Sequence, residues 1–298
     1  MKKFITNGYL FILIAGILWG LIGPFVKQME NCGASAIETS FLRVFFAFFI
    51  MFVLCIFQSG WSSFRIDFKT LLSCILLGLV CHGIYNIFYS LAVRIIGVSI
   101  SAVLLNIAPV FTLFAAFFCF HESLTRRKLF AILVNILGCI LTVTNGHLTA
   151  SGISLLGVFF GVLAGLCYAM TAIIGKITSN KTNPFAMSMY SYLAASFLLF
   201  VWMRPWTHRT FSASKELLTW GFLYALIPTA LAYLLYYIGL ENITETSKVP
   251  VIASVETIAA TILGIIIYHE SLGNISIFGI LLVLLSIIIL NTKQKNTT

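Results

Sequence analysis

Few side chains in this sequence can do chemistry, and nearly all of them stand inside long apolar runs. Glu256 lies near the middle of the run 247–268, seven residues after Val249. An ionisable group in such a place is costly and usually lines a cavity or pathway. Two roles fit it: a proton or cation site, or a carboxylate that locks two helices through a neighbouring hydroxyl or Lys. Arg43, nine residues into the run 34–57, has the planar fork that grips a carboxylate. It also has the length to snorkel or to pair with a helix end. His82, Tyr85, Asn86 and Tyr89 follow at i, i+3, i+4 and i+7, one polar and aromatic stripe on an otherwise apolar helix. Tyr233 and Tyr237, with Tyr236 beside them, form a second such stripe. A cavity lined by these rings suits a small amphipathic organic molecule. Asn106 shares a face with Ser99, Ala102 and Pro109, as interhelical glue or as a hydrogen-bonder in a cavity. Trp19 and Tyr168 are further aromatic candidates.

Other chemistries find no support. His121-Glu122-Ser123-Leu124 and His269-Glu270-Ser271-Leu272 lack the second His that a zinc-protease helix needs four residues on, because Thr125 and Gly273 stand there. Each tetrapeptide reads as the end of one helix, with Glu placed to cap the helix that follows. There is no phosphate-binding glycine loop, no dinucleotide fingerprint and no nucleophile elbow. Seven scattered Cys show neither metal-site nor disulfide spacing and read as small buried hydrophobes. No metal, cofactor or catalytic residue is expected. The net charge of +9 invites a nucleic-acid reading, but the basic residues sit in ones, twos and threes between apolar runs rather than on one face.

The elements that must position these residues follow from composition. Of 298 residues, 60% are hydrophobic and 9% charged, against about 45–50% and 25% in an ordinary soluble domain. A soluble enzyme is excluded. Runs near 8–26, 34–57, 71–93, 99–120, 128–144, 151–174, 184–203, 217–239, 247–268 and 274–290 match the length that crosses about 30 Å of hydrocarbon as helix. Helix is the form that satisfies each backbone amide within its own segment. The expected fold is an all-α polytopic membrane protein of ten transmembrane helices, the first retained rather than cleaved as a signal peptide. Counting loop Lys and Arg puts twelve on the side of the termini and five on the other. Both termini are therefore expected in the cytoplasm.

The halves repeat. His-Glu-Ser-Leu at 121 returns at 269, an offset of 148 shared by Tyr85 and Tyr233, Tyr89 and Tyr237, and Ser99 and Ser247. An offset of 149 relates Ala15-Gly16 to Ala164-Gly165, Trp19 to Tyr168 and Lys27 to Lys176. Five spans per half is odd, so the second half enters the membrane in the opposite sense. The expectation is two inverted-topology five-helix repeats, 1–146 and 147–298, in one membrane domain. Gly16-x-x-x-Gly20 and Gly161-x-x-x-Gly165 read as close helix packing, and Pro109, Pro228 and Pro250 as bends.

With these residues in hand, the sequence resembles the EamA-type members of the drug/metabolite transporter superfamily over essentially its whole length. The resemblance rests on Gly16 to Gly20 with Trp19, Arg43, Ala108-Pro109-Val110 followed by Glu122, and Ser254-Val255-Glu256-Thr257 followed by Glu270. Thr257 stands where Pro is usual, which questions the bend of the ninth helix. The resemblance implies a secondary carrier of small organic solutes, often an exporter, working by alternating access around a cavity walled by helices three, four, eight and nine. The expected substrate site is Trp19, Arg43, His82, Tyr85, Asn86, Tyr89, Asn106, Tyr168, Tyr233, Tyr237 and Glu256. The implied setting is a bacterial cytoplasmic membrane; the partners are a small-molecule solute, a proton or other coupling cation and the lipid bilayer. Three functions stay open: a carrier of amino acids or similar metabolites, with Arg43 reading a carboxylate; a carrier of organic cations or drugs using Glu256; and a non-transporting membrane scaffold or lipid-handling protein.

Overall fold

The computed structural model describes residues 8–146, 154–204, 214–269 and 273–291, apart from the side chains of Ser59, Ser62, Ser63, Ser99 and Asn291. Lys2, Lys3, Arg209, Lys293, Lys295 and the Glu270-Ser271-Leu272 segment, all used in the sequence reading, lie outside the described residues, as does the Ser99 side chain. Everything described is helix or short connection, without a strand. Among the described residues nine helices are long and apolar enough to cross a bilayer: α1 (Gly8–Asn31), α2 (Ala36–Gln58), α3 (Phe68–Val98), α4 (Ile100–Phe120), α5 (Arg126–Thr144), α6 (Leu155–Ser179), α7 (Pro184–Met203), α8 (Lys215–Glu241) and α9 (Thr246–Tyr268). A tenth, α10 (Asn274–Leu290), is apolar but shorter. Large apolar side chains stand on the outer surface, Leu155 at 86% exposure and Phe57 at 83% among them. In water that surface would aggregate; in a bilayer it is the lipid contact. The chain is an integral membrane protein.

Local chemistry sets the helix starts. Ser35 and Glu38 form a reciprocal capping box at α2, so Glu38 is occupied at its own helix end and leaves Arg43 alone. Asp67 accepts from the Thr70 amide at 3.1 Å, Thr125 from that of Lys128 at 3.2 Å and Asn183 from that of Ala186 at 2.8 Å. Each satisfies an amide that the first helical turn leaves unpaired. The Asp67 cap starts α3 three residues before the apolar run begins. The loop expected over 94–98 is reduced to a kink between two helices at Gly97, whose φ of 81° only glycine adopts freely.

Several backbone irregularities recur at the offset of 148. A π-helical segment occupies Gly78–Ile84 in α3 and another Leu226–Leu231 in α8. A break separates Leu105 from Ala108 in α4, and a second falls at Ser254 in α9. His121 and His269 both end their helices in the left-handed conformation, each with φ 54° and ψ 33°. Helix partners follow the same rule: α1 packs on α8 and α3 on α6, while α2 packs on α7 and α5 on α10. Glycine permits the closest approaches. A Cβ at Gly16 would lie 2.7 Å from the Ala253 carbonyl of α9, and one at Gly165 would lie 3.1 Å from the Leu104 carbonyl of α4.

Candidate functional site

The break in α9 places Glu256 in the first turn of the segment that resumes at Val255, where the helix dipole favours an anion. Thr257 in the place of Pro does not remove this bend, because the chain already departs from the α-helix at Ser254. Glu256 lines a cavity of about 560 Å³ together with Tyr89, Asn106, Asn135, Tyr168 and Ser254. The Tyr168 hydroxyl interacts with the Glu256 carboxyl, and Arg43 acts on it through its charge. The walls come from α3, α4, α5, α6, α9 and α10. The expected wall of helices three, four, eight and nine needs correction: α8 supplies no lining among the described residues, and α5, α6 and α10 do.

The remaining candidates form a packed cluster away from that lining. Trp19 stacks among Tyr233, Tyr236 and Tyr168, at centroid distances of 4.8, 5.1 and 6.4 Å. His82 Nε2 and the Tyr237 hydroxyl share a 2.9 Å hydrogen bond, and the His82 ring lies 4.6 Å from that of Tyr233. The two stripes therefore meet at His82. Tyr85 turns elsewhere, stacking on Tyr89 at 5.9 Å and approaching Tyr168 at 5.8 Å. Tyr168, which meets both Tyr85 and Trp19, connects the cluster to the cavity. Asn86 donates to the His82 carbonyl and accepts from Ser40 on α2. Arg43 is buried, with Nη1 donating to the Tyr224 hydroxyl at 3.2 Å and the guanidinium 5.4 Å from that ring's centre. Its Nε and Nη2 have no protein partner.

Asn135 was not anticipated. It is fully buried, and its Nδ2 donates to Ser254 Oγ at 2.6 Å and to Ser286 Oγ at 3.0 Å, tying α5 to α9 and α10. Its Oδ1 has no partner. A lone amide inside the apolar stretch Leu133–Gly138 is the signal that would have found it. Tyr224, the partner of Arg43, carried no such signal, because a single Tyr in an apolar helix is ordinary.

A second polar group gathers at the end of α4 and the start of α9. Glu122 accepts from the Ser247 amide at 3.1 Å, from the Thr246 amide and from the Ser247 hydroxyl. It was expected to cap the helix after it; it caps α9, in the other half of the chain. Lys128 reaches Glu122 at 3.6 Å and Glu245 at 2.7 Å, and Lys248 reaches Glu245 at 2.6 Å. Burial pushes the Glu245 carboxyl up, but the hydrogen bonds and charges of Lys128 and Lys248 outweigh it and hold it below the usual carboxylate range. Lys176 caps the other helix end nearby, donating to the Leu240 carbonyl at 2.6 Å and that of Ile243 at 2.9 Å. No cluster of His, Cys, Asp and Glu able to hold a metal occurs among the described residues.

Comparison with known proteins decides the family. The model of the EamA-like transporter family matches the chain twice, over residues 6–144 and again over 155–292. The chain belongs to the EamA-like transporter family. An uncharacterized transporter of Archaeoglobus fulgidus is 25% identical over 286 residues, covering 93% of this chain and 94% of its own. The uncharacterized transporter YwfM of Bacillus subtilis is 24% identical, covering 96% and 95%. A crystal structure superposes with a TM-score of 0.79 at 13% identity over 95% of this chain and 97% of its own, which shows a shared fold. This member of the EamA-like family is thus a membrane transporter.

Proposed function

We propose that this transporter is a secondary carrier that moves small amphipathic organic solutes, as an exporter, by alternating access. One observation carries the reading: a cavity of about 560 Å³ reaches Glu256 between elements of both halves of the chain. That volume falls within the range of about 300–1,000 Å³ typical of small-molecule sites. The cavity lies toward the start of α4 and the end of α9. The Glu122–Lys128–Glu245–Lys248 network lies at the opposite ends of those two helices. In this account α10 is a tenth membrane span, the halves 1–146 and 147–298 are inverted repeats, and both termini face the cytoplasm of a bacterial cell. The recurring π segments, helix breaks and paired helix contacts support that arrangement. Alternating access then consists of opening the network while the cavity mouth closes, two packings exchanged between repeats.

Tyr89, Tyr168, Asn106 and Glu256 contact solute in this reading, and Tyr85 packs against Tyr89 and Tyr168. Trp19, Arg43, His82, Asn86, Tyr233 and Tyr237 form the packed support that fixes the cavity's back wall. Glu256 is also the cavity carboxyl able to carry a coupling proton or exchange it for a cation. The test is counterflow in proteoliposomes of the purified chain, using labelled phenethylamine, phenylalanine and 3-phenylpropionate. Saturable, protein-dependent flux of at least one is expected. Unsaturable leak of all three would contradict the carrier.

A further inference from the structure

The polar groups that line the cavity have mostly spent their donors on the protein itself. Asn106 Nδ2 donates to the Ala102 carbonyl at 2.9 Å, and Asn135 Nδ2 is divided between two serine hydroxyls. Ser254 Oγ donates to the Val251 carbonyl at 2.6 Å, Thr261 Oγ1 to that of Thr257 at 2.8 Å and Thr142 Oγ1 to that of Gly138 at 2.7 Å. What these groups retain is acceptor capacity: amide oxygens and hydroxyl lone pairs. Asn135 Oδ1 states the bias most directly, because it is a buried acceptor with no donor, and such an atom is unfavourable until a donor reaches it. Glu256, an acceptor when ionised, is the one charged side chain lining the cavity among the described residues. The exceptions are the second N–H of Asn106, the Tyr89 hydroxyl and the Asn145 amide at the end of α5, which keep donors, while the Tyr168 hydroxyl interacts with Glu256.

We infer that the cavity binds a protonated amine, a small organic cation whose N–H groups are taken by Glu256 and Asn135 Oδ1 while its apolar part rests on the Tyr89 and Tyr168 rings. The charge, the hydrogen bonds and the ring faces all favour that ligand. A carboxylate ligand would need Arg43. That guanidinium lies off the cavity wall, with Nη1 on Tyr224, and nothing cationic replaces it on the wall among the described residues. The inference rests on the carrier reading and sharpens it to a substrate class.

The test is titration calorimetry of the purified full chain with four ligands of one skeleton: phenethylamine, its N,N,N-trimethyl analogue, phenylalanine and 3-phenylpropionate. Phenethylamine is expected to bind saturably. The trimethyl analogue keeps the charge but loses every N–H, and is expected to bind about tenfold more weakly or worse, as loss of a charge-assisted hydrogen bond requires. The carboxylate is expected not to bind. Glu256→Gln is expected to weaken phenethylamine by about tenfold or more. Any of three results overturns the inference: no binding of phenethylamine, equal binding of the quaternary analogue, or tighter binding of the carboxylate. The ligand series needs only the native chain, so it stands even where the variant fails to fold. Counterflow separates the two readings: flux of the carboxylate without the amine leaves a carrier and removes the cation site. Amine binding without flux of any ligand removes the carrier and leaves the cation site.

Discussion

At the scale of single residues, the proposed site divides the buried polar groups into those satisfied by the fold and those it leaves for a ligand. His82 is of the first kind at one nitrogen only: Nε2 has Tyr237, while Nδ1 is buried without a partner. Tyr237→Phe leaves Nε2 buried without a partner too and is expected to cost about 1–3 kcal/mol, read as a lower melting temperature with ligand binding largely kept. Tyr224→Phe is expected to act likewise through Arg43, whose remaining nitrogens already lack partners. Glu256 is of the second kind. It sits on a cavity wall rather than in an ion pair, so Glu256→Gln is expected to leave the melting temperature of the unliganded protein little changed while weakening amine binding. A variant that unfolds instead would assign Glu256 a helix-locking role.

At the scale of elements, close packing by small residues decides which helices can slide past one another. Gly16 and Gly20 of α1 meet Ala253 and Ala259 of α9, the helix that carries Glu256. Gly16→Leu must push α9 away and is expected to reduce both stability and amine binding, measured by thermal unfolding and calorimetry on the same sample. Gly23 faces open space, so Gly23→Ala is expected to be silent in both. The glycine pairs were legible in the sequence because small residues four apart announce contact, and the span positions were legible because apolar length is a local property. The π segments at 78–84 and 226–231 were not, since a π turn leaves no composition of its own. The breaks at 106 and 254 were half legible: Pro109 pointed to one, while in α9 the departure from the α-helix falls at Ser254, four residues beyond Pro250. Asn135 and the partner of Glu122 were missed for a different reason. Their meaning lies in residues more than a hundred positions away, and spacing along one helix carries no trace of such partners.

At the scale of the whole molecule, the Glu122–Lys128–Glu245–Lys248 network fastens the first half of the chain to the second. Its acid sensitivity follows from Glu245. That carboxyl is held below its ordinary value in the folded protein, so its stabilising contribution is complete above the unfolded value of about 4.3 and is lost as pH falls through the lower folded one. The difference in melting temperature between the native chain and Glu245→Gln is therefore expected at neutral pH and is expected to vanish in acid below that value. A difference that grew in acid would contradict the arrangement of Lys128 and Lys248 around Glu245. Glu122→Ala removes three acceptor contacts from the start of α9 and is expected to weaken the closed end more than the mouth.

Alternating access to the Glu256 cavity is tested most directly by the reactivity of one cysteine. With the seven native cysteines replaced, Thr257→Cys puts a thiol on the cavity wall, and a membrane-impermeant thiol reagent is applied to right-side-out and to inverted vesicles. The account predicts labelling from the side of the cavity mouth in the native network, and a shift toward labelling from the opposite side when Glu122→Ala is added. Labelling from one side alone in both proteins, or from neither, would contradict it.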